Sequence, residues 1–182
     1  MKFQPLSLDG AYRVTLEERG DARGFFARMF CEEEFAALGL ATRWVQVNTS
    51  YSADKGTLRG FHFQRPPQAE AKLIRCLKGA IHDVIVDLRS GSPSFGQHEA
   101  LQLDDRTRAM IYVPPGCAHG FQTLTKDCEL LYFHSATYDP THEGGLHHAD
   151  PALDIHWPLP ITQLSDRDQS FPSLQDLKPI EL

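Results

Sequence analysis

Short runs of branched and aromatic residues, cut at close intervals by glycine and proline, constrain this chain most. The runs cover residues 12–16, 25–30, 43–47, 72–77, 80–88, 110–113 and 129–134. Gly20, Gly24, Gly56, Lys78-Gly79, Gly91-Ser92-Pro93 and Pro114-Pro115-Gly116 separate them. Branched and aromatic side chains suit a pleated, half-buried surface, and glycine and proline supply the backbone angles of turns. Many short strands at fairly regular spacing predict an all-β sandwich or barrel. The clearest helix is expected at 31–38, where Glu32, Glu33 and Glu34 favour the positive end of the helix dipole and Gly39 marks a stop. From Asp150 onward the tail is rich in proline and leucine and is expected to hold short helical turns at best. With 182 residues, no repeat, no low-complexity tract and no linker, the expectation is one domain spanning 1–182.

Charge and composition narrow the function. The formal net charge is -6, so the chain lacks the basic footprint of a protein for nucleic acid or anionic membrane surfaces. Hydrophobic residues make up 41%, and no run approaches the roughly 18 apolar residues of a membrane span. The opening MKFQPLSLDGAY lacks the apolar stretch of a secretory signal. Cys31, Cys76, Cys117 and Cys128 are scattered, with no CxxC pair, and read as small, reduced hydrophobes. A cytoplasmic location is therefore expected.

Chemistry concentrates in Leu58-Arg59-Gly60-Phe61-His62-Phe63-Gln64, followed eight residues later by Lys72. On a regular strand Arg59 and His62 would point to opposite faces. Gly60 lies between them, and a glycine can bulge the strand and re-aim both side chains. A histidine among apolar residues is ordinarily part of the core. The neighbouring Arg59 and Lys72 are what suggest a base, an anion clamp and a cation for a developing negative charge.

Four more features join it. Pro114-Pro115-Gly116-Cys117-Ala118-His119-Gly120-Phe121 feeds a strand through a turn that aims His119. In Leu164-Ser165-Asp166-Arg167-Asp168, a tail acid is available to fix a histidine tautomer. Tyr132 offers a phenolic proton from a buried strand, and Arg23 offers a planar fork for phosphate. Nine histidines invite a metal, but His62-Phe63-Gln64 breaks the HxH pair of a metal-binding cupin, and His62 with His119 are too few ligands for a closed site.

Taken in order, these segments resemble the dTDP-4-dehydrorhamnose 3,5-epimerase family from about Asp21 to Pro172. Further matching stretches are Val45-Gln46-Val47-Asn48, Ala71-Lys72-Leu73-Ile74-Arg75, Asp83-Val84-Ile85-Val86-Asp87-Leu88-Arg89 and Ser92-Pro93-Ser94-Phe95-Gly96. The resemblance implies a cupin-like jelly roll with a few short peripheral helices, acting as a homodimer without metal or organic cofactor. It implies a nucleoside-diphosphate 4-keto sugar as substrate. His62 is then the base, Asp168 its partner, Tyr132 the acid on the opposite face and Lys72 the enolate stabiliser. Arg23 and Arg59 fall where the family clamps the diphosphate, Gln46 and Asn48 add polar contacts, and His119 and Tyr138 fall in the sugar pocket.

The implied reaction needs no redox cofactor. A 4-keto group acidifies C3 and C5, His62 removes a proton, Lys72 holds the enolate oxygen, and Tyr132 returns a proton from the other side. This chain departs from the family at three points. Arg19 stands where an aromatic residue commonly stacks on thymine, Arg28 stands where a glutamate is common, and Thr137-Tyr138 replaces a Tyr-Tyr pair. The departures leave open the nucleotide base and whether one or both centres invert. The competing expectations are a 3- or 5-monoepimerase, an epimerase of another nucleotide's 4-keto sugar, a non-catalytic sugar-nucleotide-binding cupin, and a metal-dependent cupin oxygenase.

Overall fold

In the computed structural model, which describes all residues from Met1 to Leu182, the β-rich runs become strands. The strands are β1 (Lys2–Pro5), β2 (Tyr12–Thr15), β3 (Arg19–Asp21), β4 (Gly24–Phe26), β5 (Gln46–Ser52), β6 (Leu58–Gln64) and β7 (Lys72–Lys78). They continue as β8 (Ala80–Asp87), β9 (His98–Asp104), β10 (Met110–Val113), β11 (Cys117–Thr123), β12 (Cys128–His134) and β13 (Glu143–Gly145). Helix α1 (Glu32–Ala36), helix α2 (Asp166–Gln169) and a 3-10 turn (Leu174–Asp176) complete the set.

Two antiparallel sheets form. One runs β1-β2-β10-β7-β12-β5 and the other β13-β6-β11-β8-β9, with β3-β4 a separate hairpin. From β5 onward, successive strands switch sheets at every step except β8 to β9. This interleaving is the cupin-like jelly roll expected from the sequence.

Alternation along each strand sorts the side chains into layers. Ile74 and Cys76 of β7, Ile81 and Ile85 of β8, Ile111 of β10 and Leu130 of β12 meet between the sheets. Leu73 and Met110, of opposite parity, face outward and are covered by Phe35 of α1. Phe61, Val84 and Val86 face outward from the second sheet and are covered by Leu153, Trp157 and Ile180 of the tail. The C-terminal segment therefore packs as part of the fold and can place Asp168 beside β6.

Some elements depart from the sequence expectation. The run at 43–47 is displaced, because the strand is Gln46–Ser52 and Trp44 instead packs edge-on to Phe133, 6.1 Å between centroids. QVNTSYS lacks apolar alternation because its polar residues line a cavity, as shown below. The run at 25–30 gives only Gly24–Phe26, since Ala27, Met29 and Phe30 turn in to pack against the outer cluster. β9 went unanticipated because HEALQLD sits at a sheet edge and buries only Leu103 fully. Helix α1 is a shortened form of the expected 31–38, with Cys31 at its N-cap and Phe35 buried; Gly39, at φ +70°, follows it.

Candidate active site

One end of the sandwich opens into a cavity of about 320 Å³ lined by both sheets. His62 comes from β6 on one wall, and Tyr132 from β12 on the other.

The β6 wall depends on Gly60. On β11, His119 pairs with His62 and Phe121 with Arg59, so three steps on β6 face two on β11. That bulge brings Arg59 and His62 to the same cavity despite their opposite parity, as the glycine suggested. Gly60 adopts φ +121°, and a Cβ there would lie 2.5 Å from the Gly120 Cα, so only glycine fits.

Asp168 arrives from the tail. Ser165 caps α2 by accepting from the Asp168 N–H at 3.1 Å. The Asp168 carboxylate then accepts from His62 Nε2 at 2.9 Å and from the Gly60 N–H at 3.0 Å. Burial alone would raise the Asp168 pKa, but these donors outweigh it and hold the carboxyl below its ordinary value. With the proton on Nε2 engaged by Asp168, the Nδ1 lone pair of His62 is left to accept a proton. Phe171 packs edge-on to the imidazole at 5.7 Å and fixes its plane.

Lys72 opens β7, and its ammonium is held at two points. Nζ donates to the His62 carbonyl at 3.1 Å and lies 3.1 Å from Glu70 Oε1. An ammonium has three donors, so one is left for the cavity. Gln64 Nε2 donates to Glu70 Oε2 at 2.8 Å, and its Oε1 accepts from the Asp139 N–H at 2.7 Å. The residue that breaks the HxH pair thus braces the Lys72–Glu70 pair. No three His, Cys, Asp or Glu side chains converge as a metal site would need.

Across the cavity, the Tyr132 hydroxyl shares a 2.8 Å hydrogen bond with Ser50 Oγ on β5. Burial pushes the phenol pKa well up, so it stays protonated at neutral pH. His119 lines the floor, and its Nε2 lies 2.8 Å from Asp83 Oδ2. Arg59 is oriented by bonds from Nε to Ser52 Oγ and from Nη2 to the Tyr51 carbonyl, both at 3.1 Å.

The structure gathers nine expected residues in or against this cavity: His62, Lys72, Tyr132, Arg59, Gln46, Asn48, His119 and Tyr138 line it, and Asp168 stands behind His62. It does not bring Arg19, Arg23 or Arg28 to the same cavity. These lie on or beside the exposed β3–β4 hairpin, which belongs to neither large sheet. Arg23 is paired with Asp21, two residues away, and Arg28 with Glu34 at 3.0 Å. Arg19 and Arg28 line a separate cleft with Met1, Glu17 and Glu34.

Sequence reasoning missed Ser50, Glu70 and His134, all of which line the cavity. A signal was available for two of them. For Ser50, two residues from Asn48 on β5, and His134, two from Tyr132 on β12, it is the spacing that keeps strand residues on one face; Glu70 lies before β7 and carried no such signal.

Known proteins resemble this chain along nearly its whole length. The family model described as dTDP-4-dehydrorhamnose 3,5-epimerase matches residues 5–176. A dTDP-4-dehydrorhamnose 3,5-epimerase from Sinorhizobium fredii is 43% identical over 178 residues, covering 97% of this chain and 91% of the relative. A dTDP-4-dehydrorhamnose 3-epimerase from Streptomyces niveus is 42% identical over 170 residues, covering 93% and 82%. The structure of a Legionella pneumophila dTDP-6-deoxy-D-glucose-3,5-epimerase in complex with dTDP-4-keto-L-rhamnose superposes with a TM-score of 0.90 at 36% identity, covering 96% of this chain and 93% of that one.

Proposed function

The chain belongs to the dTDP-4-dehydrorhamnose 3,5-epimerase family, and we propose that its cavity inverts C3 and C5 of dTDP-4-dehydro-6-deoxy-D-glucose to give dTDP-4-dehydro-L-rhamnose. The observation that carries this reading is a histidine–aspartate pair and a protonated tyrosine on opposite walls of one cavity.

Each step has an assigned group. His62 Nδ1 takes the proton next to the 4-keto carbon, while Asp168 holds the ring and offsets the charge it gains. General acid–base help of this kind contributes about 10²–10⁴-fold. The electron pair moves onto the keto oxygen, where the free donor of Lys72 meets it; a positioned donor is worth about 2.7–4 kcal/mol. Tyr132 gives its proton to the opposite face of the carbon. An enolate carbon is a far stronger base than a phenolate, so a phenol of raised pKa still donates downhill. Ser50 stabilises the phenolate and links it to the cavity for reprotonation.

Arg59 takes the diphosphate, with Gln46 and Asn48 beside the nucleotide sugar. Arg23 joins the clamp only if a second copy supplies it, because it is 90% exposed on a hairpin outside its own chain's cavity. We therefore couple the two expectations: the protein is a homodimer, and the β3–β4 hairpin of one protomer reaches the cavity of its partner. Phe25 and Phe26, exposed on that hairpin, and Val47 and Tyr51, exposed on the edge strand β5, are the surfaces such a contact would cover. Mixing inactive Arg23→Ala and His62→Ala proteins tests it. Hybrid dimers would carry one intact site and regain activity, whereas no recovery in a verified hybrid would show that Arg23 does not reach its partner's cavity. No helix is long and apolar enough to cross a membrane, and the four unpaired cysteines suit a reducing cytoplasm.

Proton NMR in D₂O with dTDP-4-dehydro-6-deoxy-D-glucose tests the function. Deuterium at C3 and C5 with a change of configuration is expected. Deuterium at C3 alone would move the assignment to a 3-epimerase, a reading favoured by the Streptomyces niveus relative. Tight binding without any exchange would leave a sugar-nucleotide-binding protein.

A further inference from the structure

The mechanism above gives His134 no role. His134 ends β12, two residues beyond Tyr132 and on the same face, and it lines the cavity. Its Cα partners across the sheet are Lys72 on β7 and Gln46 on β5. Side chains directly opposite each other on antiparallel strands share a face, with Cβ atoms about 5 Å apart. His134 therefore stands next to the proposed enolate stabiliser across the sheet and next to the proposed acid along its own strand.

Its orientation is set by neighbours. The ring stacks on Tyr132, with centroids 6.2 Å apart and planes 27° from parallel. Along β5 a one-way chain of hydrogen bonds runs toward it. The Tyr138 N–H donates to Gln46 Oε1 at 3.0 Å, Gln46 Nε2 to Asn48 Oδ1 at 3.3 Å, and Asn48 Nδ2 approaches His134 Nε2 at 3.4 Å. An amide nitrogen can only donate, so Nε2 carries the lone pair and Nδ1 the proton. Burial, then the nearby Lys72 and His119, push the His134 pKa down to about 4, so the ring is neutral at neutral pH. Nδ1 has no protein partner and is not sealed in the interior. A neutral imidazole N–H is a suitable donor to a carbonyl that becomes an enolate, because it stabilises charge without surrendering its proton.

We propose that His134 is a further catalytic residue, its Nδ1–H donating, beside the Lys72 ammonium, to the sugar 4-keto oxygen as that oxygen becomes an enolate. This deepens the epimerase reading and rests on it. One oxygen serves both enolates, formed by proton loss at C3 or at C5. His134 must therefore affect every exchanging centre by the same factor.

The experiment follows deuterium uptake from D₂O into dTDP-4-dehydro-6-deoxy-D-glucose, alongside dTDP affinity by calorimetry. His134→Phe keeps a flat ring but removes the donor, while His134→Asn keeps a donor. The Phe variant is expected to lose about 10²-fold in kcat, equally at every centre the wild type exchanges, with unchanged dTDP affinity. The Asn variant is expected to recover at least a tenth of the wild-type rate. Unchanged kcat in the Phe variant, a loss confined to one carbon, or equal losses in both variants would overturn the proposal. If the Phe variant fails to bind dTDP, His134→Leu takes its place in the same comparison. Absence of exchange in the wild type itself would instead remove the epimerase reading.

Discussion

Two histidine–aspartate pairs face each other across adjacent strands of one sheet, and our proposal makes only one of them a base. His62 and His119 are direct partners in the β6–β11 ladder, and each Nε2 meets a carboxylate, at 2.9 Å and 2.8 Å. Their surroundings differ. The His62 side chain is 36% exposed and that of His119 is 7%. Asp168 has both oxygens engaged, by His62 and by the Gly60 N–H, whereas Asp83 Oδ1 is buried with no partner. Asp168 also comes from the distant tail through a capped helical turn, while Asp83 lies on β8, next to β11 in the sheet. An equal hydrogen-bond length thus says little about role. In the proposed mechanism, access for a proton and full satisfaction of the carboxylate single out the His62 pair, and the enclosed His119 pair is assigned to shaping the cavity floor.

This contrast can be broken by substitution. His62→Ala should lower deuterium exchange the most, by up to about 10⁴-fold, with dTDP affinity largely kept. Asp168→Asn should cost about 10²-fold in kcat, since the ring keeps its place but loses the charge that offsets its protonation. Asp83→Asn should act mainly on stability, by about 1–3 kcal/mol in urea unfolding, with exchange within about tenfold of wild type. If Asp83→Asn abolished exchange as fully as Asp168→Asn, the division of roles would be wrong. Ser165→Ala should have the smallest effect, about 1 kcal/mol of stability from the lost cap, with a modest fall in kcat.

The reactive pair also has a pH signature. The folded-state pKa of Asp168 is depressed, so its contribution to stability is complete above the ordinary carboxylate pKa and is lost as pH falls through the lower folded value. Asp168→Asn should therefore be less stable than wild type near pH 6, and the two should converge in strong acid. A gap that stayed constant with pH would contradict the ionised carboxylate assigned here.

Much of this was legible in the sequence because β-strands repeat every two residues. The outer and inner layers of β7 and β12 follow from parity, and Gly60 flagged the bulge that brings Arg59 and His62 together. Ser50 and His134 obey the same parity, yet the polar run around Ser50 pointed away from a strand, and Glu70 precedes β7, where no strand period applies. β5 was misplaced for the same reason, since a strand that lines a wet cavity lacks apolar alternation. The arginines at 19, 23 and 28 mark a different limit. A motif shows which residues accompany a reaction, but where a hairpin docks depends on contacts that local pattern does not encode.

Opposed faces are the heart of the account, and Tyr132→Phe in D₂O tests them most directly. His62 would still remove a proton and return deuterium to the same face, while the other face would have no donor. The expected NMR result is deuterium uptake with the original configuration retained, where the wild type takes up deuterium and inverts. Inversion by Tyr132→Phe at the wild-type rate would show that the second proton comes from elsewhere.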